Sequence, residues 1–591
     1  MKLKQEKHLP PMRAQYSNNF EHSSQISFAF EGQILNAYPG DSVAAALTSY
    51  GIMDLRETSS GESRGIFCGM GVCHECLVDI DGEQNKRACM TKLKNGMKIN
   101  RQKFYSVPNI KLSSRKKKNN SGLKVEKPDI LVIGGGVGGM SAASVAAETG
   151  AKVILIDERS LLGGQFSKQP TPVNDNTKFS KNDPQINLGK KLIERMKNAK
   201  VEIFKNVEIW GAYPDKNVLA IKDGENLLFE PKNLIVATGA YERPLPIKGW
   251  TLPGVMTTGA AQTLLRTYNV VAGKKIFIAG NGPFNIQVAL ELEKAGASIV
   301  GISESAYKPN LSSIGSIVKM FLGSPKLFFK GISYLNELKK KSIKIKYNYV
   351  ISSIKKIGNS LDCEIAPNLS GKNINSEKIS FNCDILCMGY GFLPSNTLLR
   401  NLGCDFKYDL FRKQLVIERS EKFETNKPGL YAVGDCAGLG GAYAACEEGV
   451  IAGINACSSL GFKISGRQAK EFKSSLKILK KQRKFQSGFW GLYKCDLPYV
   501  MDSKEETYIC RCELVKNTHI QNALNSGCQS ISEIKQKTRA GMGRCQGRYC
   551  SQFIAEIISS VTNEPIGEKS YFAPRFPLSP ITIGEISSTK E

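Results

Sequence analysis

The sequence predicts a multidomain α/β protein, with two doubly wound units flanked by two small cysteine-rich domains. Three observations predict this. A strand–glycine turn–helix–strand pattern occurs twice, 146 residues apart; a tight cysteine set lies near each end; and 591 residues are too many for one domain.

The repeat comes first. Ile130 to Ile133 is an apolar run of buried-strand type, followed by the glycine-rich turn 134–139. A small-residue helix is expected over Met140 to Thr149, then a strand over Val153 to Ile156 that ends at Asp157 and Glu158. In the second copy, a strand over Ile276 to Ala279 leads to the turn 280–285, a helix over Ile286 to Lys294, and a strand over Ile299 to Ile302. Glu158 and Glu304 each stand 24 positions after the first glycine of their turn.

The first turn has the spacing that binds a dinucleotide pyrophosphate. Gly134 permits the tight turn, Gly136 lets the backbone approach phosphate, and Gly139 lets helix and strand pack closely, with Gly138 between them. The helix N-terminus then offers free N–H groups to the anion. Glu158 is placed to accept the ribose hydroxyls, and Asp157 competes for that role. The second turn keeps Gly280 and Gly282 but has Asn285 in third place, which hinders close helix–strand approach. NAD, another adenine nucleotide or no ligand all stay open there. With Glu304 and no arginine just after it, NAD is favoured over NADP.

The first cysteine set, Cys68, Cys73, Cys76 and Cys89, begins C-x4-C-x2-C on a glycine-rich loop. A strand over Leu77 to Ile80 and a turn at Asp81-Gly82 bring Cys89 back to it. This is plant-type [2Fe–2S] spacing with a short return. Zinc competes, but zinc sites more often pair C-x2-C knuckles. The second set is Cys510 and Cys512 (C-x-C) with Cys545 and Cys550 (C-x4-C), 32 residues apart, enclosing an expected helix over Thr518 to Ser526. It resembles the bacterioferritin-associated-ferredoxin-like domains, which implies a second [2Fe–2S] cluster. Lys537, Arg539 and Arg544 are candidates to offset its charge, with solvated loop positions as the equal alternative.

Ala237-Thr238-Gly239 follows an apolar strand, and Thr425 to Asp435 reads TNKPGLYAVGD. Both segments resemble those of the glutathione-reductase-like flavoproteins, with two Rossmann-like dinucleotide-binding domains. The resemblance implies FAD at the first turn. It sets Gly434 and Asp435 against the flavin, with Asp435 on the ribityl chain, and lays Gly163, Gly164 and Gln165 along the cofactor. Tyr241 and Arg243 are near-flavin candidates or structural residues in equal measure.

Composition excludes several classes. Apolar content of 41% supports ordinary cores, and no apolar run is long enough to span a membrane. The polar, basic start has no secretory h-region, and the nine remaining cysteines are scattered singles, so a cytoplasmic location with reduced thiols is expected. The four histidines form no hydrolase or zinc constellation. The net charge of +27 reads as dispersed lysine on solvated faces, so no nucleic acid is expected.

The order of segments over nearly the whole chain resembles the flavoprotein subunits of heteromeric amine and amino-acid dehydrogenases: hydrogen cyanide synthase, opine oxidase, and proline, hydroxyproline and sarcosine oxidoreductases. RGIFCGMGVCHECLVDIDGEQNKRACMT from Arg64 and ATGAYERPLPIKGWTLPGVMTTGA from Ala237 carry it most specifically. The division read is a β-grasp-type ferredoxin domain over 1–112, a linker over 113–127, and an FAD domain over 128–250 and 385–465. A second dinucleotide domain is inserted at 251–384, a connecting segment follows at 466–504, and a small helical cluster domain with its tail fills 505–591. The resemblance implies an electron-transfer subunit. Its partner would be a second flavoprotein carrying the amine-oxidising site, its acceptor external, such as quinone, with peripheral membrane association compatible. No catalytic residue is assigned. The alternatives are a self-sufficient NAD(P)H-dependent reductase and a non-catalytic iron–sulfur carrier.

Overall fold

The structure is a computed structural model and describes residues 12–14, 25–104, 123–175, 178–368, 378–497 and 507–587. The expected linker lies outside the described residues over 113–122, as does the boundary expected near Asp502.

The N-terminal sheet has five strands in the order Gln33–Ala37, Ile26–Phe30, Lys98–Arg101, Leu77–Ile80, Glu83–Arg87. Its outer pairs are antiparallel hairpins, and Ile26–Phe30 runs parallel to Lys98–Arg101. The helix Val43–Ser49 starts on Ser42, whose hydroxyl accepts the Ala45 N–H at 3.2 Å, and all seven of its residues are buried. A helix apolar on every side needs cover on every side. The second cover is the helix Thr258–Tyr268: one hydrophobic core runs from Val43–Leu47 into Ala260, Leu264 and Leu265. The N-terminal unit is therefore fused to the body rather than hung on it.

Two parallel five-stranded sheets follow. The first has the order Glu202–Lys205, Val153–Asp157, Ile130–Ile133, Asn233–Val236, Leu430–Ala432. Ile130–Ile133 is buried at all four positions, as a central parallel strand must be. The helices Val137–Glu148 and Ala442–Ser459 cross closely: a Cβ on Gly449 would lie 2.1 Å from the Gly138 carbonyl oxygen. The second sheet has the order Val255–Thr257, Ile385–Gly389, Lys275–Gly280, Ser298–Glu304, Ile345–Tyr347, again all parallel. The helices Ile314–Gly323 and Pro325–Lys340 form a hairpin between its last two strands.

Most of the expected connecting segment is one 27-residue helix, Gly466–Leu492, opened by a capping box between Ser465 and Gln468. It lies against Ile314–Gly323 so closely that a Cβ on Gly488 would be 2.4 Å from the Ser316 carbonyl oxygen. The C-terminal part pairs Tyr508–Cys510 with Val515–Lys516 and adds the helices Asn517–Asn525, Ile531–Thr538 and Ser551–Thr562.

Candidate cofactor sites

The glycines of the first turn do different work. Gly134 has a φ of 109°, and a Cβ there would lie 2.4 Å from the Ala237 carbonyl oxygen. A Cβ on Gly139 would lie 1.9 Å from the Gly134 carbonyl oxygen, so helix and turn touch through it. Gly138 faces the opposite helix, 3.0 Å from the Ala445 carbonyl oxygen by the same measure. Gly136 differs: a Cβ would meet only the Gly164 Cα, at 3.9 Å. Its bare backbone borders a cavity of about 650 Å³, within the range of cofactor pockets. Of the residues expected at the first site, all but Gly139 line this cavity. The loop at Gly163-Gly164 is strapped to the turn by the Gly163 N–H, which donates to the Gly135 carbonyl at 2.8 Å.

Asp157 and Glu158 divide the labour that the sequence left open. Asp157 accepts the Gly135 N–H at 2.6 Å and the Arg159 N–H at 2.7 Å. Burial pushes its carboxyl up to about 6. Asp157 thus clasps the turn. Glu158 is exposed and borders the cavity, with its carboxylate free to meet ribose hydroxyls. Asp435 accepts the N–H groups of Gly440 and Gly441, both at 2.9 Å, which fixes the loop before Ala442–Ser459. Gly441 and Ala442, at the N-terminus of that helix, also line the cavity. A bare turn, two helix starts and a free carboxylate fit an FAD.

The second turn is arranged otherwise. Gly282 lines the same cavity, but Gly280 and Glu304 are not among its lining residues. Glu304 is 3% exposed. It accepts the N–H groups of Gly282 (2.8 Å) and Ala306 (2.9 Å) and an Asn281 amide N–H (3.1 Å). Burial pushes its carboxyl up to about 7. The Asn281 side chain also meets the Tyr493 carbonyl and the Cys495 thiol, each at 3.2 Å, so the chain after the long helix covers this turn. Asn285 tightens the packing it was expected to loosen. Its amide donates to the Gly389 carbonyl and accepts from the Thr258 hydroxyl, both at 2.9 Å, and a side chain bonded to both elements replaces direct backbone approach.

All eight cysteines of the two sets are thiols without disulfides, and seven are buried, Cys512 half-buried. In the first set they meet in pairs, Cys68 with Cys73 and Cys76 with Cys89, as two irons sharing four thiolates require. The Met70 N–H points at the Cys68 sulfur (3.5 Å) and the Cys89 N–H at the Cys76 sulfur (3.4 Å), donors suited to a thiolate cluster. Among the described residues no three Cys, His, Asp or Glu side chains converge on one metal ion; paired cysteines agree with that. In the second set Cys512 contacts Cys545 at 3.2 Å, and the Cys510 thiol lies within hydrogen-bond reach of Cys512 and Cys550.

The two sets are neighbours, which no motif announced. Phe67 precedes Cys68 and Tyr549 precedes Cys550; their rings meet edge-on at 5.7 Å. Arg511, between Cys510 and Cys512, pairs with Glu75 at 3.1 Å, with side chains 3% and 0% exposed, and stacks 3.8 Å from the Phe67 centroid. The buried cation near the second set is therefore Arg511. Lys537, Arg539 and Arg544 are exposed, and Arg539 pairs with Glu513 at 3.0 Å. Tyr241 lines the cavity and donates to the Arg548 carbonyl at 2.8 Å, whereas Arg243 ties the body to Glu556 at 3.0 Å. Met70 and Arg548, one from each cysteine loop, also line the cavity. So do Lys168 and Glu242, both brought to about 7 by burial; Lys168 donates to Gln262 at 2.7 Å and Glu242 accepts the Gly259 N–H at 2.8 Å. Glu242 stands in the stretch from Ala237 without having been singled out there, and Lys168 follows Gly163-Gly164-Gln165 outside any motif.

Residues 23–103 match the 2Fe-2S iron-sulfur cluster binding domain, and residues 504–590 the sarcosine oxidase A3 domain. An opine oxidase subunit of Rhizobium meliloti is 28% identical over 478 residues, covering 78% of this chain and 99% of the relative. Hydrogen cyanide synthase subunit HcnB of Pseudomonas aeruginosa is 29% identical over 76% of this chain and 96% of its own. Subunit HcnA of the same organism is 40% identical over 76 residues, 13% of this chain and 73% of its own. L-proline dehydrogenase from P. horikoshii shares the fold, with a TM-score of 0.70 at 19% identity over 98% of this chain and 100% of that one. Residues 128–449, more than half of the length, match the pyridine nucleotide-disulphide oxidoreductase family, and the chain belongs to that family of FAD-dependent oxidoreductases, with a 2Fe-2S domain ahead of it.

Proposed function

We propose that the chain is the electron-handling flavoprotein subunit of a complex that oxidises an amine or amino acid. One observation carries this reading: the first turn, Asp435, Met70 of one cysteine loop and Arg548 of the other all line a single cavity. FAD accepts electrons in pairs and releases them singly, and a [2Fe–2S] cluster carries one at a time. The backbone of Gly134–Gly136 and the start of Val137–Glu148 hold the pyrophosphate, Glu158 the ribose, and Asp435 the ribityl chain. Cys68, Cys73, Cys76 and Cys89 hold the first cluster and Cys510, Cys512, Cys545 and Cys550 the second. Phe67 and Tyr549 keep water from the contact between the two sets, and Arg511 with Glu75 sets its geometry.

The relatives are named as subunits, which supports a separate partner that binds and oxidises the amine. An external acceptor such as quinone takes the electrons. The limits 128–250 for the first part of the flavin domain and 466–504 for the connection belong to the same reading, but the boundary expected between 384 and 385 moves: Ile385–Gly389 is hydrogen-bonded inside the second sheet, so the inserted domain includes that strand and the flavin domain resumes after it. At the second turn the inward Glu304 and the cover from Tyr493 and Cys495 speak against a nicotinamide and so against the self-sufficient NAD(P)H reductase.

The test uses the purified full chain. Flavin and iron–sulfur absorbance, about four irons per flavin, and no amine oxidation until the partner is added are the expected results. Rapid amine turnover by the chain alone overturns the proposed division of labour, and two irons per flavin removes the second cluster.

A further inference from the structure

The charge of this chain is not spread evenly over its folded surface. Residues 307–341 and 466–492 carry fifteen lysines and arginines and two acidic residues, which is +13 of the net +27 in about a tenth of the chain. These segments are the helical hairpin and the long helix packed against it. The two acids are spent: Glu337 pairs with Lys294 at 3.0 Å and Glu471 with Arg195 at 2.8 Å.

The same hairpin exposes large apolar side chains. Leu311 is 85% exposed, Ile314 53%, Val318 47%, Leu322 54% and Phe329 58%. Ile314, Val318, Phe321 and Leu322 fall on one face of Ile314–Gly323, at the spacing of a single apolar stripe. The opposite side of that helix is used against the long helix, where Gly323 meets Phe485 and Gly488 meets Ser316. Phe321, Phe328 and Phe329 pack ring on ring at 5.7–6.0 Å at the hairpin's bend, so the apolar tip is preformed. Lys319, Lys326, Lys339 and Lys340 are exposed on the same two helices, and along the long helix Lys470, Lys473, Lys477, Lys480, Lys481 and Lys484 are exposed too.

We propose that this hairpin docks the protein on an anionic lipid surface. Apolar side chains on a helix flanked by lysines lie in the interface plane, the rings among the acyl chains and the ammonium groups at the headgroups. The lysines decide for lipid over protein: protein interfaces are depleted of lysine at their cores, whereas an anionic leaflet gains from each one. No helix among the described residues is long and apolar enough to cross a membrane, so the contact is peripheral. The inference stands on this surface alone and does not depend on the redox reading.

The experiment is sedimentation of the full-length holoprotein with vesicles. Two compositions are used, phosphatidylcholine alone and phosphatidylcholine with 30% phosphatidylglycerol, at low and at 0.5 M salt. Two variants are compared with the wild type: Leu311→Ser/Leu322→Ser/Phe329→Ser, and Lys319→Glu/Lys326→Glu. All the replaced side chains are exposed, and flavin absorbance reports that each variant is folded. The expected result is binding to anionic vesicles at least tenfold tighter than to neutral ones and weakened by salt, with a tenfold or greater loss in each variant. Equal binding to both vesicle types, no binding to either, or wild-type binding by the folded variants overturns the proposal. So does a concentration-dependent dimer that the apolar variant abolishes, which assigns the face to a second copy, or occlusion of the face by the amine-oxidising partner.

Discussion

The two glycine turns, 134–139 and 280–285, have the same length, the same spacing of their first two glycines and an acid at the same offset, yet their acids are used differently. Each turn is clasped by a buried carboxylate that accepts its backbone N–H groups: Asp157 in the first, Glu304 in the second. The first has a spare acid, Glu158, bordering the cavity. In the second, the next residue is Ser305, fully buried and bonded to Cys495 at 3.2 Å. Structurally, Glu304 answers to Asp157 rather than to Glu158. A shift of one position along a strand end separates an acid that borders the cavity from one that clasps the turn.

Five substitutions break or sharpen that comparison. Gly139→Ala has the largest effect. Its Cβ would lie 1.9 Å from a backbone oxygen, and the chain should lose more than ~3 kcal/mol and its flavin, read by denaturant unfolding and by flavin content. A stable yellow variant refutes the packing role.

Glu304→Gln comes next. Burial raises the Glu304 carboxyl from 4.5 to about 7, so ionisation favours the unfolded chain. Its contribution to stability is fully present below about pH 4.5 and falls by about 3 kcal/mol as the pH rises to 7. The glutamine variant lacks that slope, so the difference between variant and wild type should grow in the variant's favour from pH 4.5 to 7. A constant difference means that Glu304 is not buried as described. Flavin content should not change.

Asn285→Ala removes the acceptor of the buried Thr258 hydroxyl and one of two donors to the Gly389 carbonyl, which keeps the Asn281 N–H at 2.8 Å, and should cost 1–3 kcal/mol, roughly, with flavin retained. Loss of flavin would make the third position of the second turn a cofactor determinant after all. Glu158→Gln should leave stability within about 0.5 kcal/mol, since the side chain is exposed, and weaken FAD rebinding to the apoprotein about tenfold, near 1.5 kcal/mol. If Asp157→Asn does this and Glu158→Gln does not, the assignment of clasp and ligand partner is reversed. On mixing with NADH, flavin bleaching should stay at background, because Tyr493 and Cys495 lie over the second turn.

Much of the fold was legible because its signals are local. The strand expected over Ile130 to Ile133 is found at those bounds, and so is Leu77–Ile80. The helix expected over Thr518 to Ser526 is Asn517–Asn525. Glycines announce turns, and the spacing of Cys68, Cys73, Cys76 and Cys89 announces the 2Fe-2S domain, since a few neighbouring residues decide both. The long helix went unread, because its lysine-rich sequence has too weak an apolar stripe to distinguish it from a connection; it holds its place by packing against Ile314–Gly323.

By itself, then, the sequence determined the two turns, the two cysteine sets and their order along the chain. Only the tertiary structure decided which acid borders the cavity, that Asn285 joins two elements, and that Phe67 and Tyr549 bring the cysteine sets side by side. The reason is physical. A turn or a cluster loop is specified by residues a few positions apart. The direction of a carboxylate and the meeting of residues 67 and 549 depend on packing between segments that share no sequence signal.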